Sequence, residues 1–459
     1  MQLPRLLLTC AAVLSLPAVA AAQTFEIDEP VTDTRVFSVR QTMTLAGKLK
    51  APLPGGKSIP LDMKGTVTQA FRERRLEGRG RDAKAYRMLR SYASARLQVT
   101  VAAERTEKSL SAASRPWMGE PRRIPTGSRL MVVHGGAAGL SVYSPSGPLT
   151  YDDLELLRMP GDSLSLLPLL PPGKTRVGSS WAPAGFAVQM LTGIDAVAKS
   201  TVTCKLKSAA DGKAVITLAG KVEGARDGAP TSIDLDGEIS YHLARNYVSG
   251  LKLTQKESSR TGPVSPALDI TARIELHREP AADAGTLSPK SVAGVELEPK
   301  ESLLKIRFQP VEGVTFLVDR GWHVTHHRDK LSILRLLKEG NLLAQATVRP
   351  LPDAAPGKHI AEEQFQKDIT AALGKRVKSV VRAEQIKHKG RSDDRRFLYR
   401  VLVDGSDNGI AMRWHYYLCA APDGRQLSLV FAVEKKLLGQ LDDQDLGFVL
   451  GVEFAKRKR

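Results

Sequence analysis

The chain is short of cysteine, aromatic residues and long apolar runs, and each shortage removes a class of protein. Cys10, Cys204 and Cys419 are the three cysteines in 459 residues, too sparse for a disulfide scaffold, and no Cys-x-x-Cys pair exists for zinc or thiol exchange. Cys10 sits in the apolar N-terminal stretch. Cys204 and Cys419 fall in separate strand-like runs and read as two buried thiols, with an interdomain disulfide as the alternative. Aromatics make up 5% of the chain. None interleaves with the basic runs, so the stacking platform for single-stranded nucleic acid is missing. Past the N-terminus, no stretch approaches the roughly 20 unbroken apolar residues of a spanning helix.

Catalytic signatures are also missing: there is no His-Glu-x-x-His and no Gly-x-Ser-x-Gly elbow. Gly56-Lys57-Ser58 and Gly173-Lys174-Thr175 end like phosphate loops. Ala51 and Pro168 stand where the earlier glycine belongs, so both read as turns. Ser302-Leu303-Leu304-Lys305 has the spacing of a serine–lysine acyl-transfer motif, but in a linker-to-strand context that keeps the two side chains off one helix face. His323, His326 and His327 form the one histidine cluster. On a strand His323 and His327 would stand roughly 13 Å apart, beyond the reach of one zinc ion, so the cluster reads as surface histidines. His415 and Cys419 repeat that spacing and receive the same reading. Asp442-Asp443-Gln444-Asp445 reads as acidic charge at the start of the last helix. No cofactor or metal is expected.

What is present begins with a leader. Arg5, the apolar stretch Leu6 to Val19 and Ala20-Ala21-Ala22 predict an export signal cleaved near Ala22, hence a periplasmic or extracellular protein. Formal charge is +18, concentrated in two runs. Arg72, Arg74, Arg75, Arg79 and Arg81 mark the first; Lys375, Arg376, Lys378, Lys387 and Lys389 mark the second. Such charge suits a protein or an anionic cell-envelope component as partner, with lipid as a further candidate and nucleic acid not expected. A merely solvated face is the competing explanation.

The pattern predicts an α+β protein: a signal (1–22), an antiparallel β-rich domain (23–278), a Pro- and Ala-rich linker (279–302), a second domain (303–455) and a basic tail (456–459). Long alternating runs over Thr32–Ala51 and Ser58–Gly78 lead into a strand meander with turns at Asp211-Gly212, Asp227-Gly228 and Ala244-Arg245-Asn246. A strongly curved sheet or open barrel is expected. Thr150, with Asp153 three residues on, predicts a capped short helix. Leu164–Pro172 reads as a buried, non-helical connector. Phe71, Leu130, Trp181, Phe186 and Leu235 are candidates for one apolar ligand-binding face. In the second domain, Ile360–Leu373 reads as an amphipathic helix. Ile410–Glu434 reads as a hairpin about Pro422-Asp423-Gly424 that presses one face on a helix.

The meander, its interrupting helix and Val177-Gly178-Ser179-Ser180-Trp181 resemble, over Phe25–His277, the half-barrel LolA/LolB-like lipoprotein carriers. Over Leu303–Phe454, Gly321-Trp322-His323-Val324, Trp414-His415-Tyr416-Tyr417 and the Pro422-Asp423-Gly424 hairpin resemble the PsbP-like α/β/α sandwich family. That family includes photosystem extrinsic subunits and a Ran-binding nuclear protein. The resemblance implies an antiparallel sheet between helices that docks to partners without catalysis, and it carries no functional residue to a position here. The expectation is therefore an exported, non-enzymatic binding protein. The alternatives are a hydrophobic-ligand carrier using the first domain, and a hydrolase whose site assembles from scattered residues.

Overall fold

A computed structural model describes residues 23–30, 33–52, 58–76, 86–103, 117–118, 122–123, 130–136, 139–295, 299–328, 330–387 and 396–456. The predicted signal, Arg79, Arg81 and Lys389 lie outside the described residues.

Alternating side chains build the first sheet. Strands β1 (Val36–Pro52), β2 (Ser58–Arg75) and β3 (Tyr86–Ala103) pair antiparallel in long register. β4 (Leu130–Gly136) and β5 (Gly139–Tyr143) continue beyond β3. After helices α1 (Tyr151–Leu157) and α2 (Gly185–Thr192) come β6 (Thr203–Ala210), β7 (Lys213–Arg226), β8 (Ala229–His242), β9 (Tyr247–Ser259) and β10 (Ala267–Pro280). β10 returns to pair with β1, so the principal order is β6-β7-β8-β9-β10-β1-β2-β3-β4-β5 in an open sheet. The turns obey local chemistry. Asp211-Gly212 and Asp227-Gly228 have φ of 50° and 73°, and 49° and 73°, the left-handed pair that a two-residue hairpin requires.

α1 starts as expected: the Thr150 hydroxyl accepts the Asp153 N–H at 3.1 Å, and the Asp153 carboxylate accepts the Thr150 N–H at 2.9 Å. Leu164–Pro172 departs from expectation. It is buried, but Ser163–Leu169 forms a 3-10 helix, with the Asp162 carboxylate accepting the Leu164 N–H at 2.9 Å. So short a helix loses little from the N–H that Pro168 lacks.

This segment and α2 fill the sheet's inner face. Gln41 Nε2 donates to the carbonyls of Pro160 and Gly161 at 3.0 and 3.1 Å, and Gln69 Nε2 donates to that of Leu156. Met190 on α2 reaches β4, its Cε 2.7 Å from where a Gly135 Cβ would stand, and Ile194 lies at 3.1 Å from the same position at Gly224 on β7. One helix and its exit thus touch distant strands, so the sheet curls around them.

The second half begins with β11 (Ile306–Val311) and β12 (Val314–Val318), which form a small sheet with a strand near the C-terminus. The larger sheet uses β13 (Trp322–Arg328), β14 (Leu331–Lys338), β15 (Asn341–Leu351), then helix α3 (Glu362–Leu373) and β16 (Val377–Gln385). β17 (Phe397–Asp407), β18 (Ile410–Ala420) and β19 (Gln426–Glu434) complete it. Its order is β13-β14-β15-β19-β18-β17-β16, antiparallel throughout.

α3 buries Phe365, Ile369 and Leu373 against Val401, Trp414, Tyr416 and Leu418. The expected hairpin is present, but both its faces are covered. Leu427, Leu429, Phe431 and Val433 pack on the opposite side, where helix α4 (Gln444–Leu450) supplies Phe448 and Val449. The register explains this: Trp414 lies opposite Ala432, and Phe431 opposite His415, so the two strands' strongest apolar sets point to different faces.

The halves are in contact. The Arg307 N–H donates to the Leu149 carbonyl at 2.8 Å, Arg320 Nη2 to that of Val142 at 2.7 Å, and the Tyr151 hydroxyl to that of Trp322 at 2.5 Å. Within 281–304, Leu287 is buried beside Val36, Leu89, Val132 and Tyr143.

Candidate functional site: a basic sheet edge

The five residues proposed as one apolar face do not form one. Phe71 packs at a tilt against Tyr92, ring centroids 4.9 Å apart, on the inner side of the first sheet, and Leu235 is buried in the same core. Trp181 donates its Nε1–H to the Leu169 carbonyl at 3.0 Å, pinning the 3-10 turn, and Phe186 packs from α2. Leu130 belongs to the other face: its partner is Ser91, the neighbour of Tyr92, and it packs near Leu89 and Leu287. The inner face is occupied by the protein's own chain.

The first basic run is likewise divided by strand parity. On β2, Val67, Gln69, Phe71, Glu73 and Arg75 face inward. Arg75 is buried, and its Nη1 donates to the Glu29 and Pro30 carbonyls at 3.0 and 3.1 Å, so it is no part of a surface patch. Arg72 pairs with Asp283 at 2.6 Å, and Arg74 Nη1 donates to the Leu287 carbonyl at 3.0 Å.

Beneath them lies a buried ionic network that sequence reading missed. Arg90, fully buried, donates to both Asp162 carboxylate oxygens at 2.6 and 2.7 Å and to the Ser163 hydroxyl at 2.9 Å. Arg278 donates to Glu29 twice at 2.7 Å and to Glu73 at 2.8 Å. The surrounding carboxylates hold both guanidiniums above the ordinary arginine range despite the opposing cost of burial.

The second basic run is placed differently. α3 stops at Gly374, whose φ is 54°, and the chain enters β16, which among the described residues is the last strand of its sheet and pairs with β17 on one side alone. β16 crosses β17 so closely that a Cβ on Gly405 would overlap the Arg376 carbonyl oxygen. Lys375, Lys378 and Lys387 are exposed, as are the apolar Val380 and Val381, at 44% and 47%. Arg376 turns back to the end of α3, donating to the Leu373 and Ala372 carbonyls at 3.2 Å each. Between 375 and 387 five cations face one carboxylate, Glu384. Bonding from Arg400, helped by Arg382, holds that carboxyl below the usual carboxylate range.

Inward from this edge, polar groups run across the sheet to a second missed feature. The Tyr417 hydroxyl and His415 Nδ1 both meet Asp445 Oδ2 at 2.6 Å. His415 is therefore a buried histidine and not a surface one; Asp445, in the first turn of α4, is its partner. Burial pushes Asp445 up, but the bonds from His415 and Tyr417 outweigh it and hold it below the ordinary range. Among the described residues His415 Nε2 is buried without a hydrogen-bond partner, so no hydroxyl or thiol is bonded to the imidazole on the side away from Asp445.

The remaining sequence candidates are scattered. His323 is half-buried, 3.9 Å from Asp227 at the tip of the β7–β8 hairpin. His327 Nδ1 lies 2.9 Å from the Ser332 hydroxyl, and His326 is exposed. Glu301–Leu304 forms one helical turn where a linker-to-strand passage was expected, but Lys305 lies near Glu301 and Asp319, at 3.6 and 3.8 Å. Cys204 and Cys419 are buried thiols not joined in a disulfide. Among the described residues, no helix is long and apolar enough to cross a membrane.

No protein-family model matches the chain, and no curated protein matches it. Among solved structures it is similar to the Ran-binding protein Mog1p of Saccharomyces cerevisiae, at 10% identity over 31% of this chain and 91% of that chain, TM-score 0.24. It is also similar to the cyanobacterial PsbP, CyanoP, of Synechocystis sp. PCC 6803, at 14% identity over 34% of this chain and 96% of that chain, TM-score 0.25. A lipovitellin structure matches at 9% identity over 56% of this chain and 26% of that chain, TM-score 0.31. None speaks for the LolA/LolB-like likeness, and no activity follows from any of them.

Proposed function

We propose that this is an exported, non-enzymatic binding protein that docks an acidic, extended segment of a partner protein along β16. The observation that carries this reading is an open strand edge bearing exposed Val380 and Val381 beside Lys375, Lys378 and Lys387. Lysines and bulges guard an edge against pairing with copies of itself, and β16 has both, with register shifts at Val377/Ser379 and Val380/Arg382. An acidic strand removes the repulsion that guards the edge. It can add main-chain hydrogen bonds to β16 and cover the valines. A polyanion without a peptide backbone satisfies the lysines alone.

The test is fluorescence anisotropy of labelled peptides titrated with the purified protein at low and moderate salt. An acidic peptide with alternating valines should bind tighter than oligoglutamate of equal charge, and Lys375→Glu/Lys378→Glu/Lys387→Glu should weaken it at least ten-fold. Reversal of the exposed Lys207 and Lys221 on the first sheet is the control and should change it less than two-fold. Equal loss in both variants, or equal binding of both peptides, would refute docking at this edge.

A further inference from the structure

Where the halves meet, a cleft of about 790 Å³ opens between β1, the 261–266 loop that joins β9 to β10, and strands β13 to β15. That volume lies within the range of small-molecule sites. Its walls are largely apolar, with Leu49, Val264 and Pro266 on one side and Leu331 and Ile333 on the other. Among the described residues, the ionisable ones lining it are His326 and Arg335, with no Asp or Glu. Arg335 is fixed at the wall, its Nε donating to Gln345 Oε1 at 3.2 Å and its Nη1 to the Pro263 carbonyl. Its Nη2 has no partner among the described residues. A guanidinium held by two bonds with one terminal nitrogen to spare is preorganised to bind an anion at little entropic cost.

A second cavity, about 670 Å³ beside Ala196–Ala198, carries one acid, Glu223, and one base, Arg260. It therefore selects no sign of charge.

We infer that the cleft between the sheets binds an anionic amphiphile: an apolar chain against Leu49, Val264, Leu331 and Ile333, with a carboxylate or phosphate head on Arg335 and His326. This moves hydrophobic-ligand binding away from the first sheet's filled inner face to the seam between the halves. It is independent of docking on β16, since the two use different strands.

Isothermal titration of the purified protein with dodecanoate, dodecyl phosphate and dodecyltrimethylammonium tests it. Dodecanoate or dodecyl phosphate should bind saturably, one per chain, and at least ten-fold tighter than the cationic amphiphile; the tighter of the two identifies the head group. Val264→Trp, which fills the cleft from a loop, should cut that affinity at least ten-fold with the unfolding midpoint kept. Arg335→Gln should narrow the preference for anions over the cation to less than three-fold. Indifference to charge in the unaltered protein, affinity unchanged in Val264→Trp, or binding to phosphatidylglycerol vesicles with none to either free anion would overturn the assignment.

Discussion

Arg90→Met is the sharpest test of what holds the first sheet in shape. Six buried charged groups lie together: Arg75, Arg90 and Arg278 against Glu29, Glu73 and Asp162. The signs balance, three against three. Removing Arg90 leaves Asp162 and Glu73, with side chains 6% and 0% exposed, one counter-charge short in a place water does not reach. Breaking one partner of a buried pair costs about 3–5 kcal/mol, because the stranded charge keeps its desolvation penalty. The cation also sits 4.7 Å from the Phe71 ring, worth about 0.5–2 kcal/mol more. At about 2–4 °C per kcal/mol for a large domain, the unfolding midpoint should fall by roughly 7–28 °C. Near-ultraviolet circular dichroism during heating reads this directly. Combining Arg90→Met with Asp162→Asn should cost less than the two changes added, with a coupling of about 1–3 kcal/mol. A fall under about 2 °C, or strict additivity, would refute the view that this network is held by paired charge.

Two further perturbations probe the seam and the second sheet. Gly228→Ala should cost about 1–3 kcal/mol more than Gly212→Ala. Both glycines have φ of 73°, but a Cβ at 228 would overlap the Gly340 carbonyl oxygen of the facing hairpin, whereas nothing lies within 4 Å of one at 212. Equal urea midpoints for the two variants would deny that contact any weight. Asp404, bonded by Arg413 at 2.6 and 3.0 Å and by Lys435 at 2.8 Å, has its pKa lowered to about 2. A carboxyl depressed on folding adds stability that is present above its unfolded value of about 3.9 and is lost as pH falls toward about 2. With Lys435 half-exposed, screening reduces the contribution to about 1 kcal/mol. Asp404→Asn should lie below the unaltered protein by that amount at pH 6 and match it near pH 2; a gap independent of pH would disprove the linkage.

Local chemistry was legible from sequence and long-range pairing was not. The Thr150 cap, the Asp-Gly turns, the α3 stripe and the β18–β19 hairpin each rest on residues within a few positions of one another. Arg278 and Glu29 lie 249 residues apart, and nothing in either segment names the other. His415 and Asp445 are 30 apart, on a strand and a helix. Alternation also leaves a sign undetermined. Arg74 and Arg75 look equivalent in a basic run, yet one faces out and its neighbour is sealed in the core, because the pleat assigns alternate residues to opposite faces. The period could be read; which parity pointed inward depended on the strands beside it.

That parity also decides where this molecule can bind anything. The inner face of β2 presents Gln69, Glu73 and Arg75 as well as Val67 and Phe71, and buried polar groups demand partners. Chain segment 156–163 supplies many of them: backbone carbonyls for Gln69 and Gln41, the Ser163 hydroxyl for Glu73, and Asp162 and Ser163 for Arg90, while Glu29 and Pro30 hold Arg75. An apolar ligand entering that space would have to displace groups that satisfy charges it could not satisfy itself. The filling of the bowl is therefore fixed by the same residues that made the run look like a surface patch. Both proposed binding places, the β16 edge and the seam between the halves, lie outside that bowl.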